Sequence, residues 1–177
     1  MKSDKNNLNT ELSPLLSADS VRLLKLCICA VFCWGLAAHA YGFFRASFSH
    51  DMLNALTVTE VETYWKMQLG RPGIVLYRRL LRGGVAAPWL LGLLSLLWLS
   101  LCCFVIVKLF RVQGNLFPIL TAGVLCANLT VLSMTAGYLY EMDANLFAAF
   151  VGSCAVQLRT LRSRGSESVS GKSGTEK

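Results

Sequence analysis

The stretch from Val85 to Val107 contains not one charged side chain, and no other feature of the chain constrains its fold as strongly. About 20 consecutive apolar residues, wound as an α-helix, match the thickness of a bilayer's hydrocarbon core. Two more runs read alike. Leu26 to Phe44 is interrupted only by His39, and Leu116 to Tyr140 is uncharged, with Asn128 and Thr130 near its middle. A fourth run, Ala144 to Leu158, spans only about 22 Å as a helix, short of the roughly 30 Å core. Local thinning, or extension past Arg159 with snorkelling side chains, closes that gap. The expected fold class is therefore an all-α integral membrane protein with about four transmembrane helices. Three spans plus a re-entrant piece is the alternative.

Composition excludes the other classes. Hydrophobic residues make up 54% and charged residues 15% of the 177, where a soluble domain carries about 25% charge. Disorder of the whole chain is ruled out by the same apolar content. The net charge of +7 would suggest a nucleic-acid partner if it lay on one face. Instead the charges sit in patches between apolar runs, so no nucleic acid is expected. The seven cysteines, Cys27, Cys29, Cys33, Cys102, Cys103, Cys126 and Cys154, all lie inside apolar runs without a CxxC pair or a neighbouring His at ligand spacing. They read as small packing residues rather than as a zinc site.

The basic patches set an orientation. Lys2, Lys5, Arg22 and Lys25 precede the first span, Lys108 and Arg111 follow the second, and Arg159, Arg162 and Arg164 follow the fourth. Alternating helices put these groups on one side, which the positive-inside rule makes cytoplasmic, with both termini inside. The polar opening residues do not look like a cleaved signal peptide. Three regions follow: a polar cytoplasmic N-terminus (1–21), a membrane region (22–160) with an outer loop (45–84), and a Ser/Gly/Lys-rich tail (161–177) expected to be disordered and cytoplasmic.

The outer loop departs from the rule, carrying six basic residues (Arg45, Lys66, Arg71, Arg78, Arg79, Arg82) against three acids (Asp51, Glu60, Glu62). Basic charge kept outside suggests binding of an anionic head group; a loop resting on lipid phosphates is the plainer reading. Thr57 or Thr59, each with an acid three residues on, offers a capping box for a helix through Val58, Val61, Tyr64, Trp65 and Leu69, stopped by Gly70, Pro72 and Gly73. A second short helix is expected from Ile74 to Arg82. Ile74, Tyr77 and Leu81 would share its apolar face, with Arg78, Arg79 and Arg82 turned elsewhere, and it would lie in the membrane interface.

Carboxylates are scarce, so their places matter. Asp51 follows His50 just past the first span, and Glu141 and Asp143 fall in the short gap between the third and fourth. All three are external in this topology. If the first and third helices are neighbours, these acids converge. A base there would take the proton of an attacking hydroxyl, and arginines would clamp a phosphate leaving group. A tight hairpin that needs polar residues at water explains Glu141 and Asp143 equally. His39 reads as a packed or helix-bonded residue, and His50 as a polar contact beside Asp51. Asn128-Leu129-Thr130 matches a glycosylation sequon but lies mid-span, so interhelical hydrogen bonding is expected instead. No cofactor is legible, and a divalent cation at the phosphate is left open.

Four segments carry a resemblance: Ser49-His50-Asp51-Met52-Leu53, then Gly70-Arg71-Pro72, then Pro88-Trp89-Leu90-Leu91-Gly92-Leu93-Leu94-Ser95, and the acidic run Tyr138-Leu139-Tyr140-Glu141-Met142-Asp143. In this order and spacing, over roughly residues 22 to 160, the chain resembles the N-terminal part of the type II Gtr glucosyltransferases, bacterial polytopic enzymes of O-antigen (lipopolysaccharide) modification. The resemblance implies a GT-C-like architecture in the bacterial cytoplasmic (inner) membrane. It implies transfer of a glucosyl unit from a polyprenyl-phosphate sugar donor to a cell-surface glycan acceptor. Asp51 then matches the first-loop acid, Glu141 and Asp143 the second acidic site, and Arg71 the Gly-Arg element. Arg78, Arg79 and Arg82 are assigned to phosphate contacts from charge and position alone. Members of the family are two to three times longer, so a missing C-terminal half or another membrane subunit is an expected partner. The alternatives are a non-catalytic membrane subunit and a small four-helix transporter. The lack of an ionisable residue in the second and third spans counts against the transporter.

Overall fold

The computed structural model describes residues 18–45, 64, 67–69, 72–82, 87–111 and 114–172. Every regular element among them is helical. Helix α1 is Ala18–Phe44, and α2 is the short Pro72–Tyr77, which runs directly into a π-helical turn, Arg78–Arg82. Helix α3 is Pro88–Phe110, α4 Leu116–Cys126, α5 Leu129–Gly137 and α6 Leu139–Lys172. Proline opens α3 at the position where its missing N–H costs nothing, and Arg111 closes it in the left-handed conformation, φ 52°. Of the expected helix through Val58 and Leu69, only Tyr64 and residues 67–69 are described, with Gln68 Nε2 donating to the Tyr64 hydroxyl at 2.9 Å.

Helix α3 is the axis of the bundle. Leu91, Leu96, Leu99, Cys103 and Val107 put its side chains in the core, against Cys27, Val31 and Phe43 of α1 and Cys126 and Met142 from the later helices. Helices α1 and α3 cross antiparallel and close together because each offers a glycine to the other's bulk. A Cβ at Gly35 would run into Leu96, and a Cβ at Gly92 would run into Phe43. Small residues at such crossings let apolar helices pack on dispersion alone. The α4–α5 segment runs parallel to α1, with Gly123 against Trp34 and Thr135 against Gly42. Helix α6 runs parallel to α3, with Phe147 edge-on to Trp98. The chain thus passes up, down, up and down, and the first and third passes are neighbours.

Helices α1 and α3, and residues 139–163 of α6, are each long and apolar enough to cross a membrane, and the bent pair α4–α5 makes a fourth if it is one span. The architecture is all-α and compatible with a multi-pass membrane protein. The fourth pass is longer than the run Ala144 to Leu158 suggests, because the helix starts at Leu139 and takes Glu141 and Asp143 into its first turns. The 25-residue segment Leu139–Ser163 is long enough to cross a bilayer, with Glu141 and Asp143 near one end and Arg159 and Arg162 near the other. The same helix continues to Lys172, through part of the tail whose composition predicts disorder; extending a nucleated helix costs little per residue.

The third pass breaks at Ala127 and Asn128, where α4 and α5 meet at 46°. A break inside an apolar bundle frees backbone groups that must find partners. Asn128 supplies one, its side-chain oxygen accepting from Thr130 N–H at 2.8 Å. The expected interhelical bond is therefore replaced by a local N-cap. The other partner comes from α1. His39 Nε2 donates to the Cys126 carbonyl at 3.0 Å, and its Nδ1 lies 3.1 Å from the Thr135 hydroxyl. A carbonyl only accepts, so Nε2 carries a proton, while the single proton of the Thr135 hydroxyl is shared between Nδ1 and the Val131 carbonyl 2.9 Å away. His39 is thus the helix-bonded residue the sequence suggests, and it splints the two half-helices. Thiols add weak cross-helix donors, Cys126 to the Val31 carbonyl and Cys102 to the Leu146 carbonyl, each at 3.7 Å.

His39→Leu strands the Cys126 carbonyl in the apolar interior and is expected to cost about 1–3 kcal/mol. His39→Gln, which keeps an N–H donor, should recover part of that loss. Thermal unfolding in detergent reads both variants, and a His39→Leu protein as stable as the parent would remove the splint from the account.

Candidate functional site

The short helix α2 is fixed from below by an aromatic cluster. Trp98 Nε1–H donates to the Tyr77 hydroxyl at 3.0 Å. The Tyr77 and Phe147 rings lie 4.9 Å apart, Trp98 and Phe147 4.8 Å, and Trp98 and Phe150 5.7 Å. Such offset and edge-on contacts contribute about 0.5–1.5 kcal/mol per pair beyond burial. Ile74 and Tyr77 are buried against Ala144, which pins α2 across α3 and the start of α6.

The π-turn then decides which arginine goes inward. At helical spacing Arg78 shares the face of Ile74 four residues earlier. It is buried, and its Nη2 donates to the Tyr140 carbonyl at 3.2 Å and approaches Glu141 Oε1 at 4.0 Å. The first contact is a charge-assisted hydrogen bond; the second is an electrostatic attraction at the edge of ion-pair range. Leu81, expected on the buried face, is 60% exposed. The wider i→i+5 turn advances by a smaller angle per residue and carries Leu81 off that face. Leu76 and Leu80 are exposed with it. The expectation that all three arginines turn away from the buried side is thus corrected for Arg78. Arg79 is exposed.

Helix α6 begins at this point. Tyr138 ends α5, its N–H bonding the Met134 carbonyl at 2.8 Å, and Glu141 N–H returns to the Tyr138 carbonyl at 2.9 Å. The acids therefore lie in the opening turns of a helix rather than in an extended hairpin, and the helix dipole favours Glu141 there. Tyr140, Met142 and Asp143 are all buried, Asp143 completely, whereas the Glu141 side chain keeps 17% of its surface. A carboxylate sealed from water is held only by an environment that offsets its desolvation. Two acids in the opening turns of α6 and the buried Arg78 guanidinium beside Tyr140 and Glu141 make an electrostatically loaded end to an otherwise apolar bundle.

Of the residues the sequence marks out, Arg78 and Glu141 are brought together here, Asp143 is buried in the same opening turns of α6, and Arg79 is exposed. His50, Asp51 and Arg71 lie outside the described residues, as does the side chain of Arg82. Sequence reasoning missed the Tyr140 carbonyl as the arginine's partner and the Tyr77–Trp98 pair that positions it. The Ile74-to-Arg78 spacing was the available signal for the inward turn. Among the described residues no three His, Cys, Asp or Glu side chains group to hold a metal ion. No protein-family model, curated protein or solved structure matches the chain.

Arg78→Gln removes a buried charge-assisted bond and is expected to destabilise by about 1.5–3 kcal/mol, with Arg78→Lys restoring little because one ammonium cannot reproduce the planar fork. Glu141→Gln should cost under about 1 kcal/mol, as expected for a partly exposed pair at the limit of contact. Chemical unfolding in mild detergent gives both numbers. A larger loss for Glu141→Gln than for Arg78→Gln would invert the hierarchy.

Proposed function

We propose that the chain is the membrane-embedded, GT-C-like N-terminal part of a bacterial glucosyltransferase. It works at the outer face of the cytoplasmic membrane, on glucose carried by polyprenyl phosphate, for transfer to a cell-surface glycan. The resemblance in the first loop, in the Pro88–Ser95 segment and in the acidic run supplies the family. The observation that carries the reading is the meeting of Arg78 with Tyr140 and Glu141, which joins the basic loop to the acidic turn.

Membrane insertion is supported by large apolar side chains left exposed on the helices, among them Phe44, Val124, Leu129 and Leu158. Water would not tolerate so much of that surface; lipid does. The alternating passes put Lys108, Arg111, Arg159 and Arg162 at one end and Arg78, Glu141 and Asp143 at the other. The positive-inside rule then supports cytoplasmic termini and an external acidic turn.

The chemistry follows from the residue types. The acceptor hydroxyl attacks the anomeric carbon of the glucose, and the bond from that carbon to the phosphate oxygen breaks. The electron pair leaves on the phosphate, and a carboxylate takes the hydroxyl proton. Of the two acids at this end, Glu141 keeps accessible surface and serves as that base, alone or with Asp51. Asp143, sealed behind it, is a positioning residue. Arg78 is committed to the turn, so the phosphate contact falls to the exposed Arg79. The exposed Leu76, Leu80 and Leu81 seat α2 in the outer leaflet, where the lipid-borne donor lies.

In membranes supplied with labelled polyprenyl-phosphate glucose and glycan acceptor, Glu141→Gln is expected to lower transfer by about 10²–10⁴ at unchanged membrane abundance. Arg79→Gln should chiefly raise the donor KM. Undiminished transfer by Glu141→Gln would take the base role from it.

A further inference from the structure

The opposite end of the bundle holds a second polar site. Helices α3 and α6 part slightly where α3 ends, leaving a cleft of about 30 Å³ lined by Lys108, Leu109, Arg111, Gln157, Thr160 and Leu161. A water-sized group needs about 10–15 Å³, so the space admits two such groups, as two oxygens of one phosphate would require. Two cations and two hydrogen-bonding side chains surround it, with a leucine on either side. Lys108 reaches it from above the Phe104 ring, its Nζ 5.1 Å from the centroid.

Arg111 adds an independent sign. It adopts φ 52°, ψ 33°, with its N–H bonded to the Lys108 carbonyl. That left-handed cap is the place where helices ordinarily carry glycine, because a side chain there is strained. Gly114, three residues on, shows that the chain has glycine available nearby at positive φ. An arginine held in a glycine conformation, at the rim of a cleft that already contains a lysine, points to a job for its guanidinium.

We propose that this cleft binds a phosphate monoanion of the phosphodiester type, presented by an acidic phospholipid of the leaflet at that end. Lys108 and Arg111 supply the charge and Gln157 a hydrogen-bond donor. Leu109 and Leu161 lie beside the first methylenes of the lipid. Basic pockets between helices at a cytoplasmic surface take such head groups. The site is independent of the glucosyltransferase reading, since it lies at the far end of the bundle and uses none of its residues.

The test places the purified chain in nanodiscs of phosphatidylcholine with a minor fraction of phosphatidylglycerol and counts retained lipids by native mass spectrometry. The double variant Lys108→Gln/Arg111→Gln should retain phosphatidylglycerol about tenfold less well. Arg22→Gln/Lys25→Gln, which removes equal charge from the same end on α1, should retain it as the parent does. Equal losses in the two would reduce the site to general interfacial charge and overturn the proposal. Arg111→Gly keeps the backbone conformation without strain. It should hold or raise thermal stability while losing lipid, and loss of both would make Arg111 a structural residue only. Inorganic phosphate, offered in pure phosphatidylcholine discs, distinguishes the source. Binding weaker than that of the lipid supports a head group, whereas tight binding that displaces phosphatidylglycerol would overturn the lipid assignment.

Discussion

A polar group enters an apolar helical bundle only if its partner comes with it, and this constraint organises the structure at the break in the third pass. Splitting the helix at Ala127 and Asn128 frees a carbonyl and amides. The structure meets them with one residue from each side, Asn128 locally and His39 from across the bundle. The consequence is geometric. Helix α5 leaves the break at an angle, ties Thr135 to His39, and delivers the chain into the turn that carries Glu141 and Asp143. The placement of the acids thus begins with an imidazole in the last two turns of α1.

The same rule holds at the acidic end. Arg78 is buried because it has the Tyr140 carbonyl to donate to and Glu141 to face. It can reach them because Tyr77, Trp98 and Phe147 hold α2 rigidly beneath it. An aromatic cluster therefore sets the position of a charge, and that charge sets the relation between a loop and a helix start. The two ends of the bundle differ in kind. One gathers acids around a committed arginine. The other gathers basic side chains around a small cleft, with a strained arginine at its edge.

Much of this was legible in the residues. Length and lack of charge were sufficient for α1 and α3. Of the seven cysteines expected to pack between helices, Cys27, Cys102, Cys103 and Cys126 are buried, whereas Cys29 and Cys33 are exposed. Periodicity located α2 but misassigned Leu81 and Arg78, since nothing in the local pattern announces a π-turn. The start of α6 was obscured because two acids look like a hairpin when read for hydropathy. Inside the structure both enter the first turns of α6, and Arg78 faces Glu141, which is a tertiary fact. Asn128 was visible as a polar residue in an apolar run. Its choice between bonding another helix and capping its own depended on a break that only packing against His39 stabilises. For His50, Asp51 and Arg71 the sequence remains the source of the assignment.

The central claim is that the basic π-turn after α2 and the acidic turn of α6 share the external face of a membrane. The most direct measurement is labelling of Arg79→Cys with a membrane-impermeant maleimide in intact cells, against the native cysteines, which all lie within the apolar helices. The account predicts modification from outside before lysis. Modification only after the membrane is opened would place α2 in the cytosol and contradict both the topology and the enzymatic reading built on it.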